Sequence, residues 1–160
     1  MRRMMDPRDV ELRSAALEHV RELQRRYDDL VPLRALAAGF RFRDQRISFG
    51  SFYSGIFRPK ELAGPAALCL VTAPPKSGRP APYDDEFDEA TDRITYRFRS
   101  PKTPTPAARI QAAADNRALV AAYELAVPLI YFRGIAAGQY AVVAPAFVVA
   151  IDERAELVEL

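Results

Sequence analysis

The spacing of the apolar side chains changes at Gly39, and this change limits the fold classes that the chain can adopt. Before Gly39, apolar residues recur at three-, four- and seven-residue intervals, which is typical of one face of an amphipathic helix: Val10, Leu17, Val20, Leu23 and Tyr27. Asp6-Pro7 is a helix-start signal, so this helix is predicted to run from there to about Asp28. A short second helix is predicted over residues 33–38.

After Gly39 the pattern is that of β-strands. Polar and apolar side chains alternate in three segments, which predicts half-buried strands: residues 40–43, 46–49 and 93–99. Apolar runs predict buried strands at residues 66–72 and 127–132, the second followed by a turn at Arg133-Gly134. A long or bent strand is predicted over residues 140–151, where Pro145 indicates an edge or a bulge.

The remaining segments complete the predicted fold. An alanine-rich helix is predicted over residues 106–124, and a short last strand over residues 156–159. Helices first, then strands around one inner helix, predict a single α+β domain. The short strands with turn signals also suit a small, twisted and partly closed β-barrel. We expect residues 1–40 to form a helical extension packed on the domain and residues 41–160 to form the domain itself.

The composition excludes several classes of site. Cys69 is the only cysteine and His19 the only histidine, so the chain lacks the ligands for a zinc site or an HNH nuclease centre. The sequence contains no Walker A, GxGxxG or GxSxG motif. We therefore expect no catalytic centre, no cofactor and no bound metal ion in this chain. The absence of a disulfide framework, a secretory signal and a membrane-length apolar run favours a cytoplasmic protein with no membrane association.

Basic and aromatic residues are interleaved between residues 40 and 60. The net charge of +2 is too small to indicate nucleic-acid binding by itself. The local pattern suits phosphate contacts beside a stacking surface, with these residues: Phe40, Arg41, Phe42, Arg43, Arg46, Phe49, Phe52, Tyr53, Phe57, Arg58 and Lys60. The alternative is a half-buried β segment whose arginines are solvated.

Several short motifs occur in a fixed order along the chain. Tyr83-Asp84-Asp85 precedes the strand motif Asp92-Arg93-Ile94-Thr95-Tyr96, and Asn116-Arg117-Ala118-Leu119 follows. Gly55-Ile56-Phe57 lies upstream and Gly138-Gln139-Tyr140 downstream. In this order, over roughly residues 45–150, they resemble the SRA (YDG) domain, which reads modified cytosine in double-stranded DNA by flipping the base out of the duplex.

The resemblance implies a role for each matching residue. Tyr83 and Tyr96 would sandwich the flipped base, and Asp85, or else Asp84, would accept from the cytosine amine. Asp92 falls at the second acidic position of the family, and Thr95 lies beside Tyr96. The groove loop would contribute Phe52, Tyr53 and Ser54, with Asn116 and Arg117 also near the DNA. Phosphates would be held by Arg41, Arg43, Arg46, Arg58, Arg97, Arg99 and Lys102.

The surrounding sequence suggests a context and leaves the preferred modification open. Residues 56–59 and 131–135 also resemble the amino-terminal region of bacterial HNH restriction endonucleases, which implies a nuclease domain in cis. Ala81-Pro82 and Arg97 differ from the family's pattern, so 5-methylcytosine, 5-hydroxymethylcytosine and a phosphorothioate mark all remain candidate ligands.

Other interpretations of the same residues stay open. Tyr96 is in phase with Ile94 and Phe98, which also suits a core tyrosine, and Asn116 also suits a hydrogen bond to a neighbouring loop. The acidic cluster of residues 84–89 suits either a solvated turn or a divalent metal site of a small nuclease or hydrolase. The aromatic segment of residues 49–57 also suits a protein-interaction domain, which predicts an exposed apolar patch.

Overall fold

The structure, a computed structural model, describes residues 5–52, 55–74, 93–101 and 103–160 in full, and residues 86–88 by their backbone alone. Within these residues the chain is a mixed α+β fold of three helices and eleven strands. In chain order they are α1 (Pro7–Arg26), β1 (Leu30–Pro32), α2 (Leu33–Ala37), β2 (Phe40–Phe42), β3 (Gln45–Ile47), β4 (Ile56–Phe57), β5 (Cys69–Thr72), β6 (Glu86–Asp88), β7 (Arg93–Arg97), α3 (Pro106–Leu125), β8 (Leu129–Ala136), β9 (Gln139–Ala146), β10 (Ala150–Asp152) and β11 (Leu157–Glu159).

A five-stranded sheet with the order β1-β9-β8-β5-β4 forms the centre of the fold. β5 and β8 run parallel, with Leu70 opposite Tyr131, whereas the other neighbours in this sheet are antiparallel. A four-stranded sheet has the order β10-β11-β7-β6, and β2 and β3 form a separate two-stranded hairpin. The described strands therefore make three sheets.

The central sheet is buried on both faces. Successive side chains of a strand point to opposite sides of the sheet, and each side is covered by a hydrophobic core. Cys69 and Phe132 face a first core shared with α1 and the β2–β3 hairpin. Leu70 and Tyr131 face a second core shared with α3, β7 and β11. Burial on both faces explains why residues 66–72 are a continuous apolar run rather than an alternating one.

Both long helices begin where their capping residues predict. The Asp6 side chain accepts a hydrogen bond from the Arg8 amide at 2.8 Å, and Pro7 opens α1. The Thr105 side chain accepts from the Ala108 amide at 3.2 Å, and Pro106 opens α3. The buried stripe of α1 consists of Leu12, Ala16, Val20 and Leu23. Val10, predicted to lie on this stripe, is instead 43% exposed.

The β2–β3 hairpin confirms the alternation seen in the sequence. Phe40 pairs with Ile47, and both side chains are buried in the first core. The connecting residues Arg43 and Asp44 both have positive φ, 46° and 64°, which is typical of a two-residue type I′ turn. Arg43 is held at this turn by an ion pair with Glu11 of α1.

One strand was not predicted, and two sequence predictions about strands were wrong in detail. Residues 30–32 form the missed strand, β1, which pairs with β9 at the edge of the central sheet. The chain does not turn at Arg133-Gly134, because β8 continues to Ala136 and the turn uses Gly138 with a φ of 70°. The predicted strand over residues 140–151 is divided between β9 and β10, which belong to different sheets.

A buried polar clamp joins α1 to the rest of the fold. The Arg13 guanidinium, 3% exposed, donates to the carbonyls of Ala66, Ala67 and Pro128 at 3.0, 2.7 and 3.1 Å. The Asp9 carboxylate accepts from the amides of Ala63 and Gly64, at 2.9 and 2.7 Å. Burial lowers the pKa of Arg13 to about 10, an effect that the Asp9 charge opposes. At neutral pH the guanidinium therefore stays protonated and donates its hydrogen bonds.

Replacing Arg13 tests the importance of this clamp. Arg13→Ala leaves three buried carbonyls without their donor and should lower the free energy of unfolding by about 3–5 kcal/mol. Arg21→Ala, an exposed position on the same helix, is the matched control and should change it by less than about 0.5 kcal/mol. Urea denaturation measures both. Equal stability of the two variants would contradict the assigned role of Arg13.

The stability should also depend on the charge of His19, which lies on α1 against Phe40 and Phe49 with ring centroids 6.4 and 6.2 Å away. Burial lowers the pKa of His19 from its ordinary 6.5, Arg26 adds to this shift and Glu22 opposes it. The unfolded chain therefore binds the proton more tightly, so the free energy of unfolding should fall as the pH drops through the unfolded-state pKa.

Denaturation of the native protein and His19→Gln at a series of pH values measures this dependence. The native protein should lose more stability than the variant between about pH 8 and about pH 5. Parallel pH profiles would show that His19 makes no contribution.

Candidate functional site

A group of polar side chains lies at one end of the central sheet, on the side of the second core. This group, the polar cluster, consists of Thr72, Tyr96, Arg99, Asn116 and Tyr131. Four of these side chains are buried, with exposures of 8%, 2%, 8% and 2% for Thr72, Tyr96, Arg99 and Tyr131. A buried group of this polarity is costly unless its members are hydrogen-bonded, so its contacts are informative.

The hydroxyl groups of the cluster have defined partners. The Thr72 and Tyr131 hydroxyl oxygens are 2.5 Å apart, and the two residues form a diagonal pair on the adjacent strands β5 and β8. The Tyr96 hydroxyl donates to the carbonyl of Val71 at 3.2 Å. The rings of Tyr96 and Tyr131 meet edge to face, with centroids 6.2 Å apart. These contacts fix the Tyr96 ring from its edge and from its polar tip.

The backbone of Gly55 lies against the polar cluster. A Cβ atom at this position would lie 2.3 Å from the Tyr96 hydroxyl oxygen and 3.1 Å from Nη1 of Arg99. The Gly55 carbonyl accepts from the Val71 amide at 2.7 Å. The backbone approaches the phenol this closely because residue 55 has no side chain.

Asn116 joins α3 to the segment after β7. Its Oδ1 accepts from the Arg99 amide at 2.7 Å, and its Nδ2 donates to the Arg99 carbonyl at 3.0 Å. The hydrogen bond to a neighbouring segment, one of the two roles considered for Asn116, is therefore present. The adjacent Asp115 is 8% exposed and accepts from Nε2 of Gln111 at 2.8 Å.

The predicted base pocket is described only in part. Thr95 is half-buried in β7, where it pairs with Glu159 of β11. Tyr96 lies in the second core, as its phase with Ile94 indicates. The other predicted pocket residues lie outside the described residues: Tyr83, Asp84, Asp85 and Asp92. Stacking between Tyr83 and Tyr96 stays a prediction.

Phe52 is not placed as a wedge for DNA. Its side chain is 5% exposed, and its ring packs against those of Phe132 and Tyr140 with centroid distances of 5.3 Å for both. A wedge residue must reach solvent to enter a duplex. Tyr53 and Ser54, the other predicted groove residues, lie outside the described residues.

Burial of Phe52 also bears on the protein-interaction hypothesis. That hypothesis predicts an exposed apolar patch over residues 49–57, but Phe49 is only 1% exposed and Phe57 is partly buried. The described aromatic residues of this segment pack into the first core. They do not form an exposed docking patch.

The predicted phosphate-binding residues divide into exposed and buried groups. Most of the described ones are exposed: Arg41, Arg43, Arg46, Arg58 and Arg97. Arg117, predicted to lie near the DNA, is exposed as well. Arg99, by contrast, is 8% exposed and belongs to the polar cluster, so it is not an accessible phosphate contact. Lys102 lies outside the described residues.

Two of the exposed arginines also stabilise main-chain segments. Arg46 donates to the Ala38 carbonyl at 2.6 Å and the Ala37 carbonyl at 2.9 Å, at the end of α2. Nη1 of Arg58 donates to the Leu62 carbonyl at 3.0 Å. Arg41 is the cross-strand partner of Arg46 on the hairpin. Two like charges therefore face the same side of the hairpin, an arrangement that a bound anion would stabilise.

Metal-binding and membrane-spanning features are not found in the part of the chain that the structure describes. No three His, Cys, Asp or Glu side chains there are grouped to hold a metal ion. Side chains 84–89, the predicted acidic cluster, are outside that part. None of the described helices combines the length and the apolar character needed to cross a bilayer.

No family model, curated protein or solved structure matches this chain. The function of this chain therefore has to be inferred from its own residues. Thr72 and Tyr131 were not among the residues proposed from the sequence, because both lie within apolar runs that predict buried strands. A hydroxyl-bearing residue at the end of such a run, as Thr72 is after Val71, was the signal available in the sequence.

Replacing Asn116 tests whether α3 holds the polar cluster in place. Asn116→Ala removes two hydrogen bonds to the Arg99 main chain and should cost about 1–3 kcal/mol, at about 0.5–1.5 kcal/mol for each bond. The Arg99 amide should then exchange its proton faster. Native-state hydrogen exchange measures this, with the neighbouring exposed substitution Arg117→Ala as the matched control. Unchanged exchange at Arg99 in Asn116→Ala would contradict this assignment.

Proposed function

We propose that this chain is a DNA-binding reader of modified cytosine, either 5-methylcytosine or 5-hydroxymethylcytosine, with an SRA-like fold. It flips the modified base out of the duplex and directs an HNH nuclease domain in cis to that site. The five-stranded and four-stranded sheets correspond, in this proposal, to the two halves of a twisted, partly closed barrel. The chain itself recognises the mark and performs no chemistry on it.

One observation carries the proposal: three motifs that are distant in the sequence converge on one point. Gly55 comes from the first motif, Tyr96 from the strand motif and Asn116 from the helical motif. The backbone of Gly55 leaves no room for a Cβ beside Tyr96 and Arg99, and the Asn116 side chain is hydrogen-bonded to both the amide and the carbonyl of Arg99. A shared site explains why these motifs occur together in one chain, which chance matches would not.

The chemistry of recognition follows from the residue types. Extruding a base costs a few kcal/mol, and stacking on an aromatic ring returns about 1–3 kcal/mol. A carboxylate that accepts from the exocyclic amine identifies cytosine. Asp85 is the first candidate for this role and Asp84 the second. Tyr96 supplies one ring of the stack, and Tyr83 supplies the other.

Phosphate contacts would supply the affinity that is common to all duplexes. The exposed arginines of the hairpin, Arg41, Arg43 and Arg46, project from one small element. Each phosphate neutralised releases counterions, so the logarithm of the binding constant should fall with the logarithm of the salt concentration, with a slope of about −0.9 per contact. Removing one such arginine weakens binding to modified and unmodified DNA alike.

The proposal is tested by a salt-controlled binding titration. Matched duplexes carry cytosine, 5-methylcytosine, 5-hydroxymethylcytosine or a phosphorothioate linkage, and each is titrated with the native protein and with Asp85→Ala. The native protein should bind one cytosine-modified duplex at least about tenfold more tightly, which corresponds to about 1.4 kcal/mol. Asp85→Ala should lose that preference, because the cytosine edge is no longer read.

Two controls separate base reading from general binding. Glu153→Ala, an exposed acid on the turn between β10 and β11, should keep the native preference. Arg41→Ala should weaken binding to every duplex and reduce the salt slope by about one. Equal weak binding of the native protein to all four duplexes would overturn the proposal, and selective binding to the phosphorothioate duplex would replace the proposed ligand.

A further inference from the structure

Gly55 joins two parts of the chain that are fixed on opposite sides of the central sheet. Phe52, three residues earlier, is packed in the first core against Phe132 and Tyr140. Ile56, the next residue, is 2% exposed and belongs to the second core. The Gly55 carbonyl also accepts a hydrogen bond from the Val71 amide at 2.7 Å. This bond holds residue 55 beside the polar cluster.

The requirement for glycine at residue 55 is steric. An alanine Cβ at residue 55 would lie 2.3 Å from the Tyr96 hydroxyl oxygen, far inside the normal contact distance. The phenol oxygen moves only with its ring, and Tyr96 is buried, with an exposure of 2%.

We propose that Gly55 is a positioning residue for base recognition, which acts through Tyr96. The missing side chain leaves room for the Tyr96 hydroxyl beside the Val71 carbonyl, so the ring on which the flipped base stacks keeps its place. The main chain of Val71 completes the arrangement, because its amide donates to the Gly55 carbonyl at 2.7 Å and its carbonyl accepts from the Tyr96 hydroxyl at 3.2 Å. The inference rests on the proposed function.

The positioning role predicts a specific rescue. Gly55→Ala displaces the Tyr96 ring, whereas Tyr96→Phe removes the oxygen atom with which the new Cβ collides. The double variant should therefore accommodate both changes with less strain than Gly55→Ala alone. Residues in direct contact are expected to show such non-additive effects, and the double-mutant cycle measures them.

The experiment compares the native protein, Gly55→Ala, Tyr96→Phe and the double variant. For each, the dissociation constants are measured for the duplex with the preferred cytosine modification and for the unmodified duplex. Gly55→Ala should lose about tenfold in the ratio of the two constants, equivalent to about 1.4 kcal/mol. The double variant should return to within about twofold of Tyr96→Phe.

The ratio distinguishes positioning from a loss of stability. A variant that is merely less folded binds both duplexes less well by the same factor and keeps the ratio. Gly64→Ala is the control glycine, since its added Cβ would lie 3.1 Å from Oδ2 of Asp9, away from the polar cluster. Its ratio should equal that of the native protein whatever its stability.

The possible failures are distinct. Absence of any preference in the native protein would overturn the proposed function and this inference with it. A native preference that survives in Gly55→Ala would leave the function standing and overturn the role of Gly55. A ratio in the double variant that stays well below that of Tyr96→Phe would show that the effect does not pass through the Tyr96 hydroxyl, which also overturns the inference.

Discussion

The Arg13 guanidinium fixes three parts of the chain at one point, and the arrangement of the two cores depends on it. Its hydrogen bonds join α1 to the carbonyls of Ala66 and Ala67 before β5 and of Pro128 before β8. These are the segments that lead into the two parallel strands of the central sheet. Carbonyls buried without a donor would cost more than the net value of the bonds. One side chain on α1 thus holds together the segments that lead into both strands.

The ends of those strands explain why the polar cluster lies where it does. Along β5 and β8 the side chains alternate between two apolar cores, so polar groups are tolerated only where a strand leaves the core. Thr72 is the last residue of β5, and its hydroxyl is paired with that of Tyr131. Gly55 and Asn116 then bring two further segments to the same place. The site is therefore a consequence of how the sheet ends, and hydrogen bonds to the main chain of Val71 and Arg99 help to hold it in place.

Local signals were sufficient to predict the long elements but not the tertiary ones. α1 was predicted from its start signal and periodicity, α3 from its alanine-rich composition, and the strands of the hairpin from alternation, because each signal lies within its own element. β1 depends on its partner β9, and the division of residues 140–151 depends on the pairing of β10 with β11. Within the site, the motifs led to Tyr96 and Asn116. The burial of Phe52 and Arg99 was not predicted, because exposure depends on neighbours that are distant in the sequence.

Burial of Tyr96 has a consequence for affinity and selectivity in the proposed reader. Its ring is 2% exposed, so a stacked base must displace the groups that cover it. This cost is the same for every base. It multiplies the affinity for each ligand by the fraction of molecules in which the ring is uncovered, so the ratio of the affinities for two ligands does not change. The carboxylate that accepts from the exocyclic amine then identifies cytosine among the bases, whereas the arginines of the hairpin supply affinity for any duplex. A covered stacking ring therefore weakens the binding of every flipped base by the same factor and leaves the selectivity for the mark unchanged.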